Sequence, residues 1–489
     1  VSKTEKHLGF PCPLKLAAEA HPSQCAFCDE KNSYTFREAE KAVVERTLAL
    51  RSLGLISGQR LALLAENSCE YFFLLLAAQR IGLSLVLLNL RHGKTQWSEQ
   101  LALSGAELLV FGDKQLKAVT TLEIEKLSLS ALLEKIDLTQ KEAEQVNESN
   151  LEADAESCVV FTSGSTGSGK GVRISVAAHV LSARASNAKT GLTTGDSWLV
   201  SLPMFHVGGL EIAFRTVLAG ACCHILGSNH DSDFVKRVCS TSANFISMVP
   251  SQLRELLSVP RGLAFARELK LILLGGAPSD RTLLEQIKRE KLPVRTSYGM
   301  TETVSHVCMS DIGDTSTSGS VLDGIELRIL DRQGRELDCG QRGEIVISSK
   351  RIFLGYLGEA SVEPDAWFHT RDAGYLNAQG QLVVEGRIDR TIISGGENIS
   401  LDYIERIVGQ CGFVNDCAVL GINDEHWGER PLLFVQLQPG DDAGVVGLER
   451  YLETEIPKLF RPKQIIELES LPKTAIGKID YKRLRDYNY

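Results

Sequence analysis

Phe161-Thr162-Ser163-Gly164-Ser165-Thr166-Gly167-Ser168-Gly169-Lys170-Gly171 is the stretch on which the fold turns. The apolar run Cys158-Val159-Val160-Phe161 leads into it and reads as a buried strand. Hydroxyls, glycines and one lysine then follow. Glycines let backbone N–H groups approach an anion without a Cβ in the way, hydroxyls add donors, and lysine adds a mobile positive charge. A flexible surface loop would share the Gly/Ser content, but not the strand in front or the single lysine. Gly164 to Lys170 also fits G-x-x-x-x-G-K, the start of a P-loop. A P-loop needs Ser or Thr after the lysine to hold Mg²⁺, and a helix that starts there with its N-terminus on the phosphates. Here Gly171 follows, and Gly171-Val172-Arg173-Ile174-Ser175-Val176 looks extended, so the loop is expected between two strands.

The 489 residues allow about three domains or subdomains. Composition is ordinary globular, with 43% hydrophobic and 24% charged residues, so a large core is available. A net charge of −9 disfavours a general nucleic-acid binder, which would be basic. No signal-peptide pattern is visible, and the chain begins at Val1 without methionine, so a trimmed start is expected. Tyr71 to Leu90 is almost wholly apolar, but Gln79, Arg80 and Gly82 interrupt it. It reads as helix Cys69–Ile81 and buried strand Leu85–Leu88 rather than a membrane span. Twelve scattered cysteines fit reduced thiols of a cytoplasmic protein. Cys25-Ala26-Phe27-Cys28 would complete a metal site with Cys12 and His21; a short strand with its thiols partly in the core is the expectation.

Thr35-Phe36-Arg37-Glu38 is a capping-box pattern that opens a helix ending before Gly54. Strand Arg60–Ala65, the helix and strand above, helix Thr95–Ser104 and strand Glu107–Phe111 alternate, which implies a parallel, helix-covered sheet. Glu134 to Glu156 reads as a polar connector. After the loop the alternation resumes through helices Ala177–Lys189, Gly208–Leu218, Asp233–Cys239, Ser251–Leu257 and Thr282–Lys288. The strands between them fit Ala221–Leu226, Phe245–Val249, Leu269–Leu274 and Val294–Ser297. From about Gly319, hairpin signals such as Asp331-Arg332-Gln333-Gly334 and Asn377-Ala378-Gln379-Gly380 suggest a small β-barrel or sandwich. A final α+β segment follows Gly386-Arg387-Ile388-Asp389-Arg390.

Four further blocks carry chemistry. In Ser201-Leu202-Pro203-Met204-Phe205-His206-Val207-Gly208-Gly209, a histidine sits between a strand and a helix. Leu271-Ile272-Leu273-Leu274-Gly275-Gly276-Ala277-Pro278 runs a strand into a Gly-Gly turn that a flat ring can approach closely. Ser297-Tyr298-Gly299-Met300-Thr301-Glu302-Thr303 offers an aromatic ring to stack, a hydroxyl for a phosphate and a carboxylate for Mg²⁺. Trp367-Phe368-His369-Thr370-Arg371-Asp372 supplies a carboxylate that can accept two O–H bonds from a sugar diol. Taken alone, His206 would more often be structural, and Asp372 and Arg387 would be a surface ion pair.

Together with the loop, and in the same order, these blocks resemble the signatures of the adenylate-forming superfamily of acyl-CoA synthetases, luciferases and peptide-synthetase adenylation domains. The loop departs from the usual Pro-Lys-Gly ending, having Gly169 before Lys170, which should make it more mobile. The resemblance implies an α/β multi-domain fold: a large domain 1–388, with α/β units about 1–155 and 156–318 and a β-barrel about 319–388, and a mobile α+β lid 389–489 hinged at Asp389. It implies an ATP-dependent acid–CoA ligase using Mg²⁺ and coenzyme A. Thr162, Ser163, Gly164, Ser165, Thr166, Gly167 and Lys170 would hold phosphates. Gly276, Ala277 and Tyr298 would flank adenine, Thr301 the α-phosphate, Glu302 the metal, Asp372 the ribose, and Arg387 the ribose or a phosphate. His206, Gly275 and Gly299 would line the acid. Gly395, Gly396 and Glu397 would enter for the thioester step, and Lys478 would serve adenylation. Arg215, nine residues after His206 on an apolar helix, would pair with the spectator carboxylate of a diacid; a capped or ion-paired structural arginine is the competing reading. Other acids, a carrier-protein acceptor or a P-loop ATPase switch are alternatives. The partners implied are small molecules, not nucleic acid, and a homodimer is compatible with this reading.

Overall fold

The computed structural model describes residues 11–134, 151–162, 169–227, 233–276, 279, 281–363, 365–394, 397–424, 427–438, 444–473 and 479–487. For Asp389, Thr391, Ile393, Glu397, Asn398 and Leu459 only the backbone is described. Large mixed α/β sheets form the N-terminal part, and a small α/β unit forms the C-terminal part.

The first sheet has seven strands in the order 355–356, 171–175, 156–161, 84–87, 60–64, 108–111, 125–128. From Glu156–Phe161 to Glu125–Ser128 every neighbour is parallel. Helix Phe36–Ser52 opens with the expected capping box, Thr35 and Glu38 each bonding the other's backbone N–H. Helix Cys69–Arg80 has eleven buried residues, from Cys69 and Tyr71 through Arg80. That explains the membrane-like stretch: a helix apolar all round lies inside the protein. Its charged residues and Gln79 have partners: Glu70 pairs with Arg46 at 2.7 Å, Gln79 donates to Ser157 Oγ at 2.6 Å and Arg80 pairs with Glu40 at 2.5 Å. Among the described residues no helix is long and apolar enough to cross a membrane.

The second sheet has nine strands in the order 320–321, 305–309, 294–300, 271–274, 245–248, 197–200, 222–225, 25–28, 33–35. Its middle is parallel and its two ends are closed by antiparallel strands. The expected division at 155/156 does not follow sheet membership. The hairpin 156–175 belongs to the first sheet, whereas Cys25–Cys28, near the chain start, crosses to the second. Local alternation sets strands but not their order in a sheet. Helix Pro260–Glu268 went unforeseen; its apolar positions are few, and only Gly262 and Ala266 are buried.

Residues 326–387 form a four-stranded antiparallel sheet in the order 326–330, 343–348, 368–376, 382–387. Its hairpin turns fall where the Gly-containing signals stand, with Gly334 and Gly380 at positive φ. Beyond it, Thr391–Ser394, Glu397–Ser400, Val414–Asp424, Gly428–Leu437 and Gln464–Glu467 build a five-stranded sheet. Two apolar clusters drawn only from residues 392–484 serve this unit, so it has a core of its own.

Candidate active site

The phosphate-loop residues 163–168 lie outside the described residues, but both ends of the loop are fixed. Glu156–Phe161 and Gly171–Ser175 pair antiparallel, with Phe161 opposite Gly171, and Thr162 N–H donates to Lys170 O at 3.0 Å. A strand follows the lysine, not a helix, so the P-loop reading is excluded. Gly169 has φ +73°, a conformation closed to proline, whose ring holds φ near −65°. The departure from the family's usual residue is thus matched by the backbone. A Cβ on Gly171 would stand 2.4 Å from Leu357 Cδ1, so any side chain there would force Leu357 to shift.

Lys170 reaches outward from the hairpin. Its Nζ lies 4.2 Å over the Tyr356 ring and 3.4 Å from Glu359, with both charged groups more than half exposed. Tyr356 in turn donates its hydroxyl to Glu302 Oε1 at 2.9 Å. The loop lysine and the expected metal carboxylate therefore share one tyrosine, which the sequence reading did not single out. Glu302 stands on the short 3-10 turn Thr301–Thr303, which caps strand Val294–Met300. After that turn Val304 and Ser305 both have positive φ, 50° and 89°. Such backbone is strained and persists only where surroundings hold it. Here Ser182 Oγ donates to Val304 O at 2.6 Å and Thr303 Oγ1 to Ser305 O at 2.9 Å. Gly299 is required by the same turn, since a Cβ would sit 1.7 Å from Ser305 O.

Tyr298, on the same strand, donates its hydroxyl to Asp372 Oδ2 at 2.6 Å. Burial, then the Asp372 charge, pushes the Tyr298 hydroxyl above its usual range, so it stays a donor. Arg387 faces Asp372 across the antiparallel ladder and donates to Asp372 Oδ1 at 3.3 Å and to Thr370 O at 3.1 Å. Arg371, beside Asp372, is another strained residue at φ 60°, with its N–H on Glu344. Gly275 and Gly276 follow the end of strand Leu271–Leu274, parallel to and beside Val294–Met300. Gly276 has φ +80°, and a Cβ on Gly275 would lie 2.7 Å from Ser297 Oγ. Ala277 lies outside the described residues. The glycine turn and Tyr298 thus stand at neighbouring strand ends, where an open parallel sheet binds its ligands.

His206 is the N-cap of helix Val207–Ala219. Its loop is clamped from the first sheet by Asn67, which donates to Leu202 O at 2.9 Å and accepts from Met204 N–H at 2.8 Å. Gly209 lets the helix close on this loop; a Cβ there would stand 2.4 Å from Pro203 O.

Further along that helix, Arg215 is wholly buried. It donates to Ser305 Oγ at 2.9 Å and lies 5.5 Å from the Trp198 ring centre. A second guanidinium, Arg351, is 2% exposed and donates to His306 O at 3.2 Å, on the residue next to Ser305. Nε and Nη1 of both arginines have no hydrogen-bond acceptor among the described residues. Burial pushes Arg215 down to about 10, with Glu211 on the same helix opposing and Arg351 adding to it. Burial likewise pushes Arg351 down to about 10. Burial and the two arginines hold His306 well below its ordinary value, which keeps it neutral. Among the described residues Arg215 has no ion-pair partner, and its one side-chain hydrogen bond, to Ser305, leaves a capped structural arginine as the competing reading. The signal for its partner was Arg351 itself, a charge inside Ser349-Lys350-Arg351-Ile352-Phe353.

The junction to the C-terminal unit is the turn Ile388–Arg390. Asp402, on helix Leu401–Val408, accepts from Arg387 N–H at 2.8 Å and pairs with Arg390. Arg390 also pairs with Glu405 at 2.6 Å and covers the Tyr481 ring at 4.1 Å. Gly386 has φ +141° and no room for a Cβ against Asp402. These latch residues were missed; carboxylates three apart beside a basic turn were the available signal. Gly395, Gly396 and Lys478 lie outside the described residues, as do the side chains of Asp389 and Glu397. The strands on either side of 395–396 pair, Ser394 opposite Glu397.

Comparison with known proteins agrees with this arrangement. Residues 14–357 match the AMP-binding enzyme family, and residues 403–478 match the AMP-binding enzyme C-terminal domain. The 2-succinylbenzoate–CoA ligase of Listeria monocytogenes serovar 1/2a is 34% identical over 482 residues, covering 97% of this chain and 98% of the relative. Two solved structures of o-succinylbenzoate CoA synthetase from Bacillus subtilis are each 28% identical. The complex with its acyl-adenylate intermediate has a TM-score of 0.87 and covers 98% of both chains. The complex with ATP and magnesium ion has a TM-score of 0.86 and covers 97% of this chain and 99% of that one. The chain belongs to the AMP-binding enzyme family of adenylate-forming enzymes and is an AMP-forming acid–CoA ligase.

Proposed function

We propose that this ligase converts 2-succinylbenzoate to its CoA thioester, a step of menaquinone biosynthesis. The observation that carries the choice of acid is the buried pair Arg215 and Arg351, whose four unfilled N–H-bearing nitrogens suit a carboxylate. Guanidinium binds carboxylate bidentately and stays charged at these shifted values. A diacid needs one carboxylate activated and the other recognised; Arg215 and Arg351 would take the second, and His206, Gly275 and Gly299 would line the path of the first.

In the first half-reaction a carboxylate oxygen attacks the α-phosphorus of ATP, and the bond to pyrophosphate breaks. Lys170 leaves Glu359 for the β- and γ-oxygens, joined by Thr162 and the loop residues Ser163 to Gly167. Tyr298 and Gly276 bracket adenine together with Ala277. Asp372, with Arg387 behind it, accepts the ribose hydroxyls. Thr301 faces the α-phosphate. Lys478 stabilises the charge that develops there. Glu302 fits a hard cation: it is a carboxylate with no cationic partner among the described residues, held in place by Tyr356. When bound, Mg²⁺ supplies neutralisation of phosphate charge.

In the second half-reaction the CoA sulfur attacks the acyl carbonyl carbon and AMP leaves. The unit after Asp389 turns about that residue, withdraws Lys478 and brings in Gly395, Gly396 and Glu397. The domain limits 1–388 and 389–489, and closure of the 319–388 segment as a barrel, belong to this same reading. Its support is the separate C-terminal core and the Asp402 latch at the junction. The test is a panel of aromatic, fatty and dicarboxylic acids supplied with ATP, Mg²⁺ and CoA. AMP and thioester should form fastest with 2-succinylbenzoate; a monocarboxylic acid that outpaces it would overturn the assignment.

A further inference from the structure

The fold bears out the short strand over Cys25–Cys28 and takes Cys12 and His21 out of the metal alternative. Cys12 is buried against Arg80, and His21 packs near the Phe36 ring. The third thiol comes instead from Cys222, nearly two hundred residues away in sequence. Strand Cys25–Cys28 lies parallel to Cys222–Ile225, with Phe27 opposite Cys223 and Cys28 opposite His224. Opposed residues of a ladder point to the same face, and alternate residues share one. Cys28, Cys222 and His224 therefore share a face, while Phe27 and Cys223 enter the core, both wholly buried. In a regular strand Cys25 would point away from Cys28. The pairing of this strand with Ser33–Thr35 shifts register between Cys25 and Phe27, and that bulge re-aims Cys25.

The three sulfurs lie within 4.8 Å of one another. Cys28 Sγ is 3.8 Å from Cys222 Sγ and Cys25 Sγ is 2.9 Å from it. A tetrahedral zinc–thiolate centre with bonds of about 2.3 Å sets its sulfurs ~3.8 Å apart, which the Cys28–Cys222 spacing matches, while the exposed Cys25 would move outward on binding. His224 is on the same face with a buried Nδ1 that has no hydrogen-bond partner among the described residues, but it stands outside the group whose donor atoms lie within 4.8 Å of one another. Cys25 is exposed and the other two thiols are half-buried, so a cation has a way in. By contrast Cys69, Cys158, Cys223 and Cys308 are sealed in the core, where a thiol acts only as a small apolar group.

We propose that Cys25, Cys28 and Cys222 bind a thiophilic cation, zinc, one strand in from the edge of the nine-stranded sheet. Five strand spacings separate strand Cys25–Cys28 from the strand that bears Tyr298, about 24 Å. The site takes no part in the ligase chemistry. It fastens an N-terminal strand to the strand at residues 222–225, and its free energy of binding adds to folding stability.

The experiment is zinc titration of the full-length, fully reduced protein against a chromophoric chelator, with bound metal measured after dialysis. One zinc per chain is expected, together with a rise in the unfolding temperature. Cobalt substitution should give thiolate-to-metal charge-transfer bands and the visible bands of a tetrahedral centre. Cys222→Ser and Cys28→Ser should each lose the bound metal and the cobalt bands, while acid-dependent ATP–pyrophosphate exchange stays unchanged. Less than about a tenth of an equivalent of zinc on the wild-type protein would overturn the proposal. So would a Cys222→Ser protein that binds as much zinc as wild type. A Cys25–Cys222 disulfide that forms in air in the presence of saturating zinc would overturn it too. Because the first readout uses the wild-type chain, a variant that fails to fold does not leave the question open.

Discussion

At the nucleotide end of the site the polar groups satisfy one another. Tyr298 holds Asp372, Arg387 backs it, and Tyr356 sits between Lys170 and Glu302. At the acid end Arg215 and Arg351 are sunk in the core with half-used guanidinium groups. The difference is instructive. Groups that already pair with one another can exchange one partner for another without first being left unsatisfied, so ATP is met by a network already in place. Buried donors without acceptors weaken the fold, since each carries its desolvation penalty uncompensated. On the proposed reading, a chain that keeps two of them holds a place for an anion of fixed position. On this account, grip on ATP is spread over many exchangeable contacts, whereas choice of acid is concentrated in two residues.

The largest effect is expected outside both ends. Lys478→Ala should lower adenylate formation by ~10²–10³-fold, the scale of losing one donor to developing charge, while leaving thioester formation from supplied acyl-adenylate intact. Equal loss of both half-reactions would remove the two-face scheme. Arg215→Met sharpens the comparison itself. KM for 2-succinylbenzoate should rise ~10–100-fold, the range for a charged hydrogen bond, with KM for ATP unchanged. The same variant should unfold at an equal or higher temperature, because it deletes a buried charge and keeps the volume. Arg351→Met should act in the same direction. A drop in stability with no change in either KM would make Arg215 a structural residue. Asp372→Asn should raise KM for ATP by ~10-fold and leave the acid KM alone. Smallest is Glu359→Gln: freeing Lys170 from an exposed pair should lower KM for ATP by no more than ~3-fold, and the gain should fade at high salt. A large effect there would mean that the nucleotide end is less exchangeable than described.

Much of this site was legible because its signals are local. The hydroxyl- and glycine-rich loop between two strands, the Ser297–Thr303 block, the Thr35–Glu38 cap and the buried helix from Cys69 are each decided within a dozen residues. What stayed hidden depends on strand order and on contacts across the chain. Nothing near Cys25 announces Cys222, and nothing near Glu302 announces Tyr356. Asn67 clamps a loop 135 residues later, and such a clamp has no sequence period. Arg215 was found by its oddity on an apolar helix; Arg351 offered the same oddity on an irregular segment, where no pattern makes a charge stand out. Gly169 looked like a defect in the motif, yet its positive φ makes glycine the residue that the loop's backbone requires.

The most direct measurement is kcat/KM for 2-succinylbenzoate against the two analogues that each lack one of its carboxylates, in the wild-type protein and in Arg215→Met. The wild-type enzyme is expected to favour the diacid over the analogue that keeps the activated carboxylate by ~10²-fold, and the variant to lose most of that preference, since one charged pair carries it. Undiminished preference in the variant would contradict the assignment of the second carboxylate to the buried arginines.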